Sequence, residues 1–62
     1  MGITIREIRK DKLGMSMREM ADLLGISRTG YWKKETGRNN FKPQEIIQIC
    51  KMSDVDPRTL SL

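Results

Sequence analysis

The stretch Ser16–Gly37, SMREMADLLGISRTGYWKKETG, decides how the rest of the chain is read. Ser16 followed three residues later by Glu19 is a capping box, in which each side chain satisfies the other's free backbone N–H at a helix start. Met15 and Met20 flank it at the spacing of a hydrophobic staple. Met17, Met20, Ala21 and Leu24 then recur at helical spacing, which predicts a helix over Met17 to Leu24. Gly25 follows, a residue suited to the left-handed backbone that ends helices. Ser27 opens a second helix, with Ile26 and Tyr31 as its staple, and Gly37 stops it after Arg28 to Thr36.

The same signals continue outward on both sides. Thr4 and Glu7 form another capping box, with Ile3 and Ile8 as its staple, so a first helix is expected from Ile5 to Lys12, broken at Gly14. Arg9, in its middle, can reach a carboxylate or a phosphate. Beyond the central stretch, Arg38 to Lys42 reads as a polar loop holding one aromatic, Phe41. Pro43 suits the first position of a fourth helix. That helix should reach Lys51 or Met52, with Ile46, Ile49 and Cys50 on one face, Ile47 nearby and Phe41 stapled to Ile46. Asp56 and Pro57 start a last short helix stapled by Val55 and Leu60. No run alternates with period two, and no repeat or linker appears. The expectation is an all-α fold of five short helices in one domain over residues 1–62.

Composition narrows the function. A chain of 62 residues buries only about 60% of its unfolded surface, so every apolar face must be used. One cysteine allows no internal disulfide, and the absence of histidine removes most metal-site and acid–base chemistry. There is no phosphate-binding glycine loop and too little chain for a closed pocket, so neither an enzyme nor a cofactor or metal is expected. Met1-Gly2 opens like an acylation signal, but Arg6 stands where that signal needs Ser or Thr. Without a signal peptide or a membrane-length apolar run, a cytoplasmic location is expected. The net charge of +4 is unevenly spread. Residues 28–42 carry Arg28, Lys33, Lys34, Arg38 and Lys42 against Glu35, a net of +4, while residues 1–27 carry +1 and residues 43–62 carry −1. The whole excess therefore coincides with the second helix of the central stretch and the loop after it, the footprint of a nucleic-acid contact.

A short helix, a tight turn and a second helix make a helix-turn-helix pattern. Here LGIS, a short basic helix and E-x-G resemble the Cro and repressor (lambda-repressor-like) DNA-binding domains of phages and bacteria, over about Ile5 to Leu60. Ala21 fits, because two helices crossing steeply need a small residue at the contact. The resemblance implies a compact five-helix domain whose helices 2 and 3 form the motif and whose partner is double-stranded DNA. It implies that Arg28, Thr29 and Lys33 read bases, with Trp32 beside them. Arg28 suits guanine O6 and N7, and the Thr29 methyl suits thymine. Arg18, Ser27, Arg38, Asn39, Asn40 and Lys42 would hold phosphates. In this family an arginine at the position of Arg9 is often structural. Proteins of this design usually bind inverted repeats as dimers, and Val55, Leu60 and Leu62 are candidates for a homodimer surface or for closing the core.

Three positions depart from the pattern. Met17 replaces a glutamine that commonly contacts phosphate and braces the recognition helix; it would be core or an exposed contact. Lys34 replaces an apolar residue, its stem expected over the core and its ammonium in water. Gly30 lies within the recognition helix, at a cost of about 1 kcal/mol relative to alanine. Tyr31 is expected inward with its hydroxyl on a partner, and Trp32 outward. Met17, Gly30, Tyr31 and Trp32 also suit a second function, an antirepressor or modulator that grips a repressor protein. RNA binding finds little support, since the chain's three aromatics do not form a stacking platform.

Overall fold

Each helix begins where a side chain can satisfy its free amides. The computed structural model describes residues 2–61, so the expectations placed on Met1 and Leu62 lie outside the described residues. Thr4 Oγ1 accepts from the Glu7 amide at 3.1 Å, and the Glu7 carboxylate accepts from the Thr4 amide at 3.3 Å. Helix α1 (Ile5–Glu7) grows from this box and runs directly into a π-helical segment, Ile8–Leu13. Sequence periodicity predicts an ordinary helix there. The wider winding instead lets the Arg9 carbonyl accept from both the Gly14 and the Met15 amides as the chain turns away. Helix α2 (Met17–Leu24) has both halves of its capping box, at 3.1 and 3.0 Å. Helix α3 (Arg28–Glu35) is capped by Ser27 Oγ, which accepts from the Gly30 amide at 3.0 Å. Helix α4 (Pro43–Ser53) starts at Pro43, and Glu45 accepts from the Lys42 amide at 2.7 Å. Asp56 caps the last element, which is a single 3₁₀ turn, Pro57–Thr59, where a fifth helix is expected from the sequence.

That turn is short because the chain after it is used otherwise. The Ile3 amide donates to the Thr59 carbonyl at 2.9 Å, and the Ser61 amide donates to the Ile3 carbonyl at 2.8 Å. Leu60 thus pairs with Ile3 in an isolated parallel bridge, and among the described residues no strand forms. Residues 2–3 and 59–61 are thereby held side by side. Gly2 is needed for the close approach: a Cβ there would lie 2.4 Å from the Thr59 carbonyl oxygen.

The staples read from the sequence build the core. Ile5, Ile8, Met20, Ala21, Tyr31 and Ile49 form the buried cluster. The residues just before the five caps, Ile3, Met15, Ile26, Phe41 and Val55, all pack against it. Burying a large apolar side chain contributes about 1.5–3 kcal/mol, so each staple fixes a helix start and adds to the core at once. Tyr31 lies edge-on to Phe41, with ring centroids 5.9 Å apart, which ties α3 to the loop before α4. Val55 and Leu60 also pack on the core.

Candidate nucleic-acid interface

The turn between α2 and α3 is fixed by backbone geometry. Gly25 adopts φ +72°, and the chain closes with the Ile26 amide donating to Ala21 and the Gly25 amide donating to Asp22, the two bonds of a Schellman motif. A β-carbon at that φ would be strained, hence the glycine. Ser27 then starts α3 immediately. The end of α3 repeats the device: Gly37 donates to Lys34, and Arg38 donates to Lys33 at 2.8 Å. With both ends fixed, the helical period sorts α3 into two faces. Tyr31 is fully buried and Lys34 and Glu35 are half-buried, while Arg28, Thr29, Trp32 and Lys33 face solvent.

Two ion pairs lock the inner face. Arg9 grips Glu35 as a fork, Nε donating to Oε2 at 2.8 Å and Nη2 to Oε1 at 3.0 Å, and its Nη1 donates to the Met15 carbonyl at 2.9 Å. Arg9 is therefore committed to structure and ties the first helix to the recognition helix. Burial opposes ionisation of Glu35, but the Arg9 hydrogen bonds outweigh it and hold the carboxyl below its ordinary range. Lys34 corrects the sequence expectation of an ammonium in water. Its Nζ donates to both Glu45 carboxylate oxygens, at 2.6 and 2.8 Å, because α4 brings that buried carboxylate over the lysine stem.

Both pairs also shape the field outside. They withdraw Glu35 and Lys34 from the surface, leaving Arg28, Lys33, Arg38 and Lys42 exposed with no acidic side chain in residues 28–42 left to oppose them. The positive charge read from the sequence thus survives folding as an all-cationic surface segment.

Tyr31 departs from expectation at its tip. Its hydroxyl lies beside the Arg9–Glu35 pair, and burial, followed by the Glu35 carboxylate, pushes the phenol above its usual range. Yet it is the one buried side-chain polar atom among the described residues without an aligned hydrogen-bond partner. An unsatisfied buried donor costs about 1–3 kcal/mol. Tyr31→Phe should accordingly stabilise the domain by about 1 kcal/mol and raise its thermal midpoint by about 4–8 °C, measured by circular dichroism. A lower midpoint would mean that the hydroxyl is satisfied in solution.

The expected DNA-contacting residues fall into distinct groups. Arg28, Thr29 and Trp32 line one cleft of about 150 Å³ together with Met17. Arg18, Ser27 and Arg28 line a broader concavity of about 720 Å³ between the start of α2 and the start of α3. That concavity also contains Lys10, which sequence reasoning passed over. Nothing in its local spacing marks it, because the residues it faces come from other helices. Arg38 lies over the Trp32 ring, 4.8 Å from its centroid, a cation–π contact that braces two expected contact residues against each other. Asn39 and Asn40 are not brought to either site; they line a separate groove of about 410 Å³ with Thr4, Ile5, Arg6 and Phe41. Lys33 is exposed on α3, and its carbonyl anchors the Arg38 and Asn39 amides. Lys42 is exposed at the start of α4. None of the helices among the described residues is long and apolar enough to cross a membrane.

Comparison with curated proteins and with solved structures finds nothing that matches the chain. A family model described as Helix-turn-helix matches residues 5–61, from the first residue of α1 to Ser61, whose amide bonds to Ile3. With the capped α2, the Gly25 turn and the exposed basic face of α3 in place, this chain belongs to the helix-turn-helix family of Cro and repressor type, a family of DNA-binding regulators.

Proposed function

We propose that the protein is a transcriptional regulator of the phage or mobile-element kind that binds a specific DNA duplex through α3 and acts by occluding operator DNA. The observation that carries this is the coincidence of the exposed Arg28–Lys33 face with a surface segment whose one acidic side chain, Glu35, is withdrawn into a buried ion pair with Arg9. Arg28, Thr29 and Lys33 meet base edges, with Trp32 beside them. Arg18, Ser27, Arg38 and Lys42, joined by Lys10, hold phosphates around them. Asn39 and Asn40 belong to the backbone contacts only where DNA reaches the loop. Because one short helix reads few base pairs, the protein acts as a homodimer on an inverted repeat.

The test is a selection from a random duplex pool followed by affinity measurements over a range of salt. An inverted repeat should be enriched. The four cationic phosphate contacts, Lys10, Arg18, Arg38 and Lys42, give a slope of log affinity against log salt of about −3.6 per half-site. A shallow slope with no enriched sequence would favour the second reading, a modulator of a repressor protein. That reading draws on the exposure of Leu23 and Trp32, at 41% and 38%, since exposed apolar and aromatic side chains suit protein contacts.

A further inference from the structure

The cleft shared by Met17, Arg28, Thr29 and Trp32 has a chemistry of its own. It lies between the first residue of α2 and the first turns of α3, on the face where the proposed function places DNA. Its lining combines a thioether, an indole and a threonine methyl with the Thr29 hydroxyl and the Arg28 side chain, so apolar groups predominate. Met17 is half-buried and packs partly on the core, which fixes it in position. At about 150 Å³ the cleft admits a group of a few heavy atoms and is too small for an apolar helix face.

The major-groove edge of a base pair carries one apolar protrusion, the 5-methyl of thymine; the other edges present only donors and acceptors. A polar edge placed against the Met17 thioether and the Trp32 indole face loses water without gaining a partner there, which costs binding. We infer that Met17, Thr29 and Trp32 form a receptor for a thymine methyl, and that Met17 is a specificity-determining residue. The inference rests on the DNA-binding reading above. Arg28, which also lines the cleft, holds an acceptor edge of a neighbouring base or phosphate while the methyl enters. The half-site therefore contains a thymine whose methyl, rather than its hydrogen-bonding edge, is recognised. Met17 is what makes this selective: a glutamine there would line the cleft with an amide and admit polar edges.

The experiment is a selection from a random duplex pool, after which the enriched sequence is rebuilt with deoxyuridine in place of each thymidine in turn. Uracil pairs as thymine does and lacks only the methyl. One position per half-site should lose about 4-fold in affinity, the factor for leaving one methyl-sized group unburied. Other positions should change by less than about 2-fold. Met17→Gln should bring the sensitive position to near-equal binding of the two bases, while Met17→Leu should keep the preference; circular dichroism establishes that each variant is folded. Equal affinity for thymine and uracil at every position, with selective binding intact, would overturn the methyl receptor and leave the DNA-binding reading standing. Failure of the folded protein to enrich any duplex would overturn both.

Discussion

Glu35→Ala should cost this domain about 3–5 kcal/mol, because it leaves the Arg9 guanidinium buried without its counter-charge. The two side chains retain only 9% and 2% of their exposure, so water cannot replace the lost partner. Domains of this length have a total stability of about 3–9 kcal/mol. The variant should therefore be largely unfolded or lose its cooperative transition, as read by urea denaturation followed by circular dichroism. Arg9→Met combined with Glu35→Leu should recover most of the loss, since an apolar pair of similar volume fits such a site at little cost. A Glu35→Ala change below about 1 kcal/mol would show that the pair does not hold α3 to the first helix. The same pair sets an acid limit. Glu35 and Glu45 are both ionised more readily in the folded chain than in the unfolded one. In each case burial opposes the charge, but hydrogen bonds from Arg9 to Glu35 and from Lys34 to Glu45 overcome it. Their stabilisation is complete above the ordinary carboxylate range, about pH 4.3. It is lost as pH falls below that range through the lower folded values.

Arg28→Ala should lower affinity for the selected duplex by about 10- to 100-fold and relax the preference at one base position, the signature of a lost bidentate contact to guanine. Arg28 is exposed at the first position of α3 and, among the described residues, its side chain makes no hydrogen bond or ion pair, so the fold should not suffer. Arg38→Ala or Lys42→Ala, by contrast, should weaken all sequences about equally and reduce the salt slope by about 1. The distinction is read by repeating the selection with each variant. Uniform weakening by Arg28→Ala, with no change in preferred sequence, would make Arg28 a phosphate contact and move base reading to Thr29 and Lys33. Trp32, the single tryptophan, reports from the same place. Arg38 over its ring gives the indole a neighbour that DNA would compete for.

The helix starts were legible because capping is a local transaction. Thr4, Ser16 and Ser27 each sit three residues from the amide they satisfy, and their staples span five residues, so no tertiary contact is needed to recognise them. Gly25 was legible for the same reason, since a left-handed turn is a property of one residue. The last element was less so. Asp56 and Pro57 signal a helix start, but the helix ends after one turn because the Thr59 carbonyl and the Ser61 amide bond to the backbone of Ile3, nearly the whole chain away.

The candidate site divides along the same line. That residues 28–42 are basic, and that Arg28, Thr29, Trp32 and Lys33 share one face of a helix, follows from composition and a period of 3.6 residues. Which of those charges reach solvent does not. Lys34 and Glu35 are neutralised by Glu45 and Arg9, partners 11 and 26 residues distant, and no spacing rule connects them. Lys10 enters the concavity, Met17 joins the cleft and Tyr31 loses a hydrogen bond for the same reason. Sequence alone determined where the helices start, the capping side chains, the turn after α2 and the sign of the charge, all of which act over a few residues. Only the tertiary structure decided which charges cancel, which side chains share a cleft and that Ile3 meets Thr59 and Ser61, because those depend on the packing of segments that are not neighbours in the chain.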